Sequence, residues 1–161
     1  MSDQPLYDQD ILLWSEQQAE VIRRLGRMGR DLPNELDVEN VAEEIESVGR
    51  SELAAVKSHI RLICLHLIKL VIEEGSEAVP HWQGEILAFH AEMIERYAPS
   101  MRQRIDLNAV WRSACEQSML VYEKAQSGAL PANCPFTLDD LLGEHVDVVA
   151  LVERLRNAPT T

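Results

Sequence analysis

The chain has 161 residues, enough for one domain with a real core and little more. Acidic residues outnumber basic ones 27 to 15, a formal charge of −12. That disfavours nucleic acid and anionic membrane surfaces, both of which are gripped through Lys and Arg.

The first segment, M-S-D-Q-P-L-Y-D-Q-D, is acidic and has no apolar core of its own, so no secretory signal is expected. A first helix is predicted from about Asp8 to Arg27, with Tyr7, Ile11, Trp14, Gln18, Val21 or Ile22, and Leu25 on its buried side. Arg23, Arg24, Arg27 and Arg30 crowd its C-terminal end, where cations favour the helix dipole. Pro33 and Asn34 mark a loop. Asp37 then suits an N-cap, and the apolar line Val41, Ile45, Val48, Val56, Ile60, Ile63, Leu67, Leu70 runs on with no proline until Pro80. This predicts one helix of about 36 residues, ~54 Å long, stopped at Gly75. Pro80 opens a third helix that buries Trp82, Ile86, Phe89, Met93 and Tyr97 and ends at Pro99. A fourth is predicted from about Ser100 to Gln126, with Leu107, Trp111, Ala114, Ser118, Val121 and Ala125 inward and Gly128 as its stop. A Pro-rich connector follows. Thr137 is the N-cap of T-L-D-D-L-L, with Gly143 at its end, and a last amphipathic segment carries Val149, Val152 and Leu155. No alternating strand pattern and no internal repeat occur. The expected fold is all-α: an irregular four-helix bundle with one very long central helix and short C-terminal helices. Residues 1–143 form the bundle and 144–161 a helical tail.

Ile60 to Ile72 is the most telling stretch, because ten of its thirteen residues are aliphatic or Cys. One face of a surface helix cannot use so many, and Arg61, His66 and Lys69 interrupt the run too often for a bilayer span. Protein must cover it on several sides, either from this chain or from a partner.

The blocks Y-D-Q-D-I-L-L-W-S-E-Q-Q-A, L-D-V-E-N-V-A-E-E-I-E-S-V-G-R-S-E and H-L-I-K come in that order, followed by Trp82, P-S-M-R and C-P-F-T-L-D-D-L-L. Over residues 6–143 they make the chain resemble the bacterial domain-of-unknown-function family 29. The resemblance implies an all-helical fold and brings no activity, substrate or cofactor. Two departures stand out: Gly29 to Glu35 looks like an insertion, and the acidic V-I-E-E-G-S-E replaces a segment that is more basic in the family.

Several constellations could carry chemistry. Glu39, Glu43, Glu44 and Glu46 could hold a cation or basic partner, or could pair with Arg23, Arg27 and Arg30 of the first helix. With Val41, Ile45 and Val48 inward, Glu39, Glu43 and Glu46 would face away from the core. Ser47, Ser51 and Ser58 share a flank that would allow a close helix approach or a polar pocket. Glu52 points toward the core, so an Arg, Lys or hydroxyl is expected beside it. His59 and His66 share a flank, but no Glu-x-x-His or His-Glu-x-x-His occurs, and no metal or other cofactor is expected. No G-x-S-x-G or Gly-rich phosphate loop is present either. Cys64, Cys115 and Cys134 are an odd set without C-x-x-C spacing, which reads as a reduced, cytoplasmic protein. Cys134, before Pro135 in the connector, is a candidate for an exposed thiol.

Two functions remain in view. The first is a non-enzymatic module that binds another protein or a second copy of itself, through the apolar long helix or the tail Glu144 to Asn157. The second is an enzyme or small-ligand binder with an interhelical polar site. The binding residues singled out are Glu44, Ser47, Arg50, Glu52 and His66, with Arg102 as an alternative to Arg50.

Overall fold

A computed structural model describes residues 5–29, 31–123, 125 and 130–160. Every regular element among them is helical: α1 (Leu6–Gln9), α2 (Ile11–Met28), α3 (Val38–Ile72), α4 (Val79–Arg96), a 3-10 turn (Pro99–Arg104), α5 (Leu107–Val121), α6 (Leu138–Leu142) and α7 (Val148–Asn157). The chain divides into two compact units. The first holds the residues up to Ala55 together with Arg96–Arg104, and the second holds Val56–Glu95 and the residues from Ile105 onward. Helix α3 contributes to both.

The predicted first helix is broken at Asp10. Its carboxylate accepts from Leu13 N at 2.9 Å and so caps α2 instead of continuing α1. At the other end Gly29 takes φ +61°, a left-handed turn that stops α2. α2 and the first half of α3 form an antiparallel hairpin. Gly26 lies against Val38 and Gly49 against Leu12 and Ser15. The predicted inner faces are wrong here by one helical position. The buried residues are Leu12, Ser15 and Ala19 on α2, and Ala42 and Gly49 on α3, not Val41, Ile45 and Val48. The reason is steric. A Cβ on Gly49 would stand 2.9 Å from Leu12 Cα, so these helices meet nearly backbone to backbone. Apart from Leu12, the buried side chains of that seam are small, and Val41, Ile45 and Val48 are displaced to its edge. The serine flank has no such role: Ser51 is exposed, and Ser47 bonds its own helix at Glu44 O.

In this unit the 3-10 turn is tied to α1 and α2. Ser100 donates to Asp10 from its backbone N (2.8 Å) and its Oγ (2.7 Å), and Arg104 pairs with Glu16 at 3.0 Å. The predicted fourth helix therefore starts later than expected. Asp106 accepts from Ala109 N at 3.0 Å and caps α5 at Leu107. The predicted end at Gln126 and stop at Gly128 lie outside the described residues.

The second unit is built around the later half of α3, where every residue from Ile63 to Ile68 is buried. The cover comes from this chain. It is provided by Ile86, His90 and Met93 of α4, Trp111, Ala114 and Ser118 of α5, Phe136 of the connector, Leu141 of α6, and Leu151 and Leu155 of α7. Trp111 donates its indole N–H to Pro131 O at 2.8 Å and meets the Phe136 ring edge-on. Thr137 and Asp140 form a reciprocal capping box at α6. Val121, predicted inward, is 69% exposed. The tail is packed on the unit's other elements: Arg154 bonds Asp140, and Arg156 reaches Glu74 at 2.9 Å.

Candidate functional site

One arginine of α2 reaches three carboxylates of the acidic block on α3. Arg23 spans Glu39 (3.2 Å), Glu43 (3.6 Å) and Glu46 (2.7 Å), and its hydrogen bonds to Glu46 and then Glu39 hold its guanidinium above the usual value. Of the other arginines expected in this pairing, Arg27 turns to Glu20 on its own helix, and Arg30 lies outside the described residues. One edge of the hairpin is thus a ladder of ion pairs.

The opposite edge is apolar. On α3 it carries Val41, Ile45 and Val48, at successive helical turns. On α2 the same side carries Ile11, Trp14, Val21 and Leu25, because these positions lie opposite Arg23 on the helical wheel. Val48 and Leu25 are each 43% exposed, and Leu36 in the turn is exposed as well. Tyr7 of α1 stacks edge-on against Trp14 at 4.8 Å, while Leu25, Val41 and Val48 stay exposed. Arg24 on α2 and Glu44 on α3 border it, both exposed. The side chain of neither appears in a hydrogen bond or ion pair among the described residues.

The binding residues expected from the sequence fall as follows. Glu44 is exposed, and only its backbone carbonyl is engaged, by Ser47 Oγ at 2.8 Å. Arg50 turns away from Glu44 and bonds Glu43 and, at 3.7 Å, Glu46. Glu52 has the cation predicted for it: Arg96 Nη1 donates to both its oxygens, at 3.0 and 3.3 Å. The Glu52 side chain is 30% exposed, so this pair is half-buried and not a core one. These four belong to the first unit. Arg102 is exposed on the 3-10 turn of the same unit.

His66 belongs to the second unit, buried between α3 and α4. Its Nδ1 faces Leu62 O at 2.8 Å and its Nε2 faces Glu85 at 2.8 Å, while Phe89 packs edge-on against the ring. Lys69 lies 3.3 Å from the same Nε2 and 5.9 Å above the Trp82 ring. Nδ1 is thus used within α3, and Nε2 holds α3 to α4. His59 pairs with Glu92 at 3.1 Å, and His90 donates from Nε2 to Gly143 O at 3.0 Å. Among the described residues no three His, Cys, Asp or Glu side chains converge as a metal site would require. Nor is any described helix long and apolar enough to cross a membrane.

The three cysteines, all free, gather in the second unit. Cys64 is fully buried on α3, and burial helps push its thiol well above the usual value. Cys134 is half-buried and lines an open cleft of about 670 Å³ with Arg154 on its wall. Its backbone N–H donates to Asn108 Oδ1 at 2.9 Å.

Comparison with known proteins agrees with this architecture. The family model described as "Domain of unknown function DUF29" matches residues 6–146, so the chain belongs to that family. A crystal structure of an alpha-helical protein of unknown function from Rhodospirillum rubrum is similar, at 33% identity and a TM-score of 0.86. The match covers 95% of this chain and 99% of that one. No curated protein matches the chain.

Proposed function

We propose that this member of the DUF29 family is a non-enzymatic protein-binding module whose partner is a second copy of itself, engaged through the apolar edge of the α2–α3 hairpin. The carrying observation is the row Val21, Leu25, Val41, Ile45 and Val48, left partly open along one side of a two-helix layer. A two-helix layer buries one seam only, and a second layer against it makes a four-helix bundle. The rim charges favour a copy over an unrelated partner. Arg23 reaches Glu43, so Arg24 and Glu44 lie at similar heights on the two outer rims of the row. A two-fold axis parallel to the helices sets α2 of one copy against α3 of the other and keeps those heights. Each Arg24 then meets the other copy's Glu44. In the Ile60 to Ile72 run, the first motive for expecting a partner, Ile63 to Ile68 are already buried by the chain itself, and the run plays no part in this surface.

The available area sets the strength. α2 is about 27 Å long at 1.5 Å per residue, and two helices side by side span about 20 Å, so the flat face is on the order of 500 Å². That is at the small end for specific complexes, which favours a dimer that dissociates on dilution. Light scattering across a concentration series is the test. The unmodified chain is expected to move from monomer to dimer, and the Val41→Asp, Val48→Asp double variant to stay monomeric with unchanged helicity. Arg24→Glu should weaken the dimer, and adding Glu44→Arg should restore it. A chain that stays monomeric at the highest concentration would refute the proposal.

A further inference from the structure

We infer that α7 is a resident ligand in a helix-docking groove of the second unit. The groove takes in its place an amphipathic helix of another protein, with two leucines one turn apart and arginines beside them. This rests on the second unit alone and is independent of self-association.

Two side chains seat α7. Leu151 and Leu155, one turn apart, are its buried residues. Charge fixes the helix around them. Arg154 bonds Asp140 of α6, and Arg156 reaches Glu74, in the turn after α3, at 2.9 Å. Both flanks of the helix stand open. Val149, Val152 and Glu153 border a cleft of about 200 Å³ that is also lined by Leu70 and Val79. Arg154 and Asn157 border the cleft of about 670 Å³ that is also lined by Pro131 and Pro135. The helical wheel puts these two sets on opposite sides of the Leu151–Leu155 line. α7 therefore rests on a narrow seam between two clefts that its own side chains do not fill.

Such seating is weak. Ordering ten residues has a large entropic cost. Against it stand two buried leucines and two ion pairs with half-exposed arginines, and exposed pairs add little. The cap of α7 is local, because Asp147 accepts from Ala150 N at 3.0 Å. Buried Val146 and the His90 bond to Gly143 O hold the preceding connection in place. The helix is thus free to leave from Asp147 onward while the rest of the unit stays folded. A tethered tail acts at an effective concentration on the order of millimolar. Another helix displaces it by making contacts that α7 lacks, and the two apolar-walled clefts accept larger side chains than Val152 or Asn157. Asp140 and Glu74 select a basic residue beside the leucine anchors and disfavour an acidic helix.

The test adds a fluorescein-labelled peptide of residues 145–160 to the full chain and reads anisotropy. The unmodified chain should bind it poorly, because its own tail competes. The Leu151→Asp, Leu155→Asp chain, whose tail no longer docks, should bind it at least about tenfold more tightly. Glu74→Arg added to that chain should weaken the natural peptide, and an Arg156→Glu peptide should recover the lost affinity. A Val152→Phe peptide, which reaches into the smaller cleft, should bind about tenfold more tightly than the natural one. In case the tail variant does not fold, hydrogen exchange of the unmodified chain gives a second measurement. Residues 148–157 should exchange at least about tenfold faster than residues 63–68. Equal protection of those two segments, or binding no stronger than that of a scrambled peptide, overturns the proposal. A dimer that persists in the Val41→Asp, Val48→Asp chain and is lost on Leu151→Asp, Leu155→Asp would seat a second copy's tail in the groove and overturn the assignment to another protein.

Discussion

Asp10 shows how much one side chain can organise. It ends α1, caps α2 and receives two hydrogen bonds from Ser100, ninety residues further on. Burial alone would raise its carboxyl, but the bonds from Leu13 and Ser100 outweigh that and hold it below the usual 3.8. A carboxylate whose folded value is depressed adds stability above the unfolded value and loses it as pH falls through the folded one. Asp10→Ala should therefore cost about 2–4 kcal/mol near neutral pH, from a lost cap and two lost charge-assisted bonds. Urea titration would measure it, and the gap between variant and parent should close well below pH 4. His90 acts in a higher window. Burial lowers its value below 6.5, more than the bond to Gly143 O raises it. The neutral ring is the stabilising form, so this contribution is present above about pH 6.5 and is lost as pH falls. Melting temperature on acidification should accordingly drop in two steps, and His90→Asn should remove the step nearer neutrality. A single drop below pH 4 in the unmodified chain would contradict this.

At the scale of elements, the seam between α2 and α3 is the most sensitive feature. Gly49→Ala places a methyl 2.9 Å from Leu12 Cα, where backbone cannot yield cheaply. The expected cost is about 1–3 kcal/mol, against a smaller change at Gly84, where added bulk meets nothing. Thermal melts of the two variants side by side check this. Helix existence, the Asp37 and Thr137 caps and the partner for Glu52 were all legible from spacing and local chemistry. The inner face of the hairpin was not. A stripe of Val, Ile and Leu is the normal mark of a buried side, and here the buried side is written in Ser15, Ala19, Ala42 and Gly49. Such a seam depends on how close two helices come, which one helix's periodicity does not encode. The break before α5 was missed for a related reason: Asp106 caps only because Pro99–Arg104 turns more tightly than an α-helix. Among the candidate site residues, Glu44 and His66 looked alike as polar points on one long helix. Only tertiary partners separate an exposed rim charge from a buried helix tie.

Across the whole molecule, α3 passes through two environments, and its stability should change along its length. From Ile63 to Ile68 it is buried on every side by α4, α5, the connector and the C-terminal helices. From Val38 to Ala55 it buries a single narrow row of small residues, and Val41 and Val48 remain exposed. Local opening free energy tracks buried apolar contact, so one continuous helix should open in two stages. Amide hydrogen exchange read by mass spectrometry should show residues 56–70 protected up to the global unfolding limit. Residues 38–50 should exchange faster, by opening locally. If a second copy covers the apolar edge, binding adds stability to that half alone, and the amount grows with concentration. Protection of residues 38–50 should then rise as the chain is concentrated, while residues 56–70 stay constant. Uniform protection along α3 at every concentration would mean that the hairpin half is held by contacts of its own, and that no partner is needed to complete it.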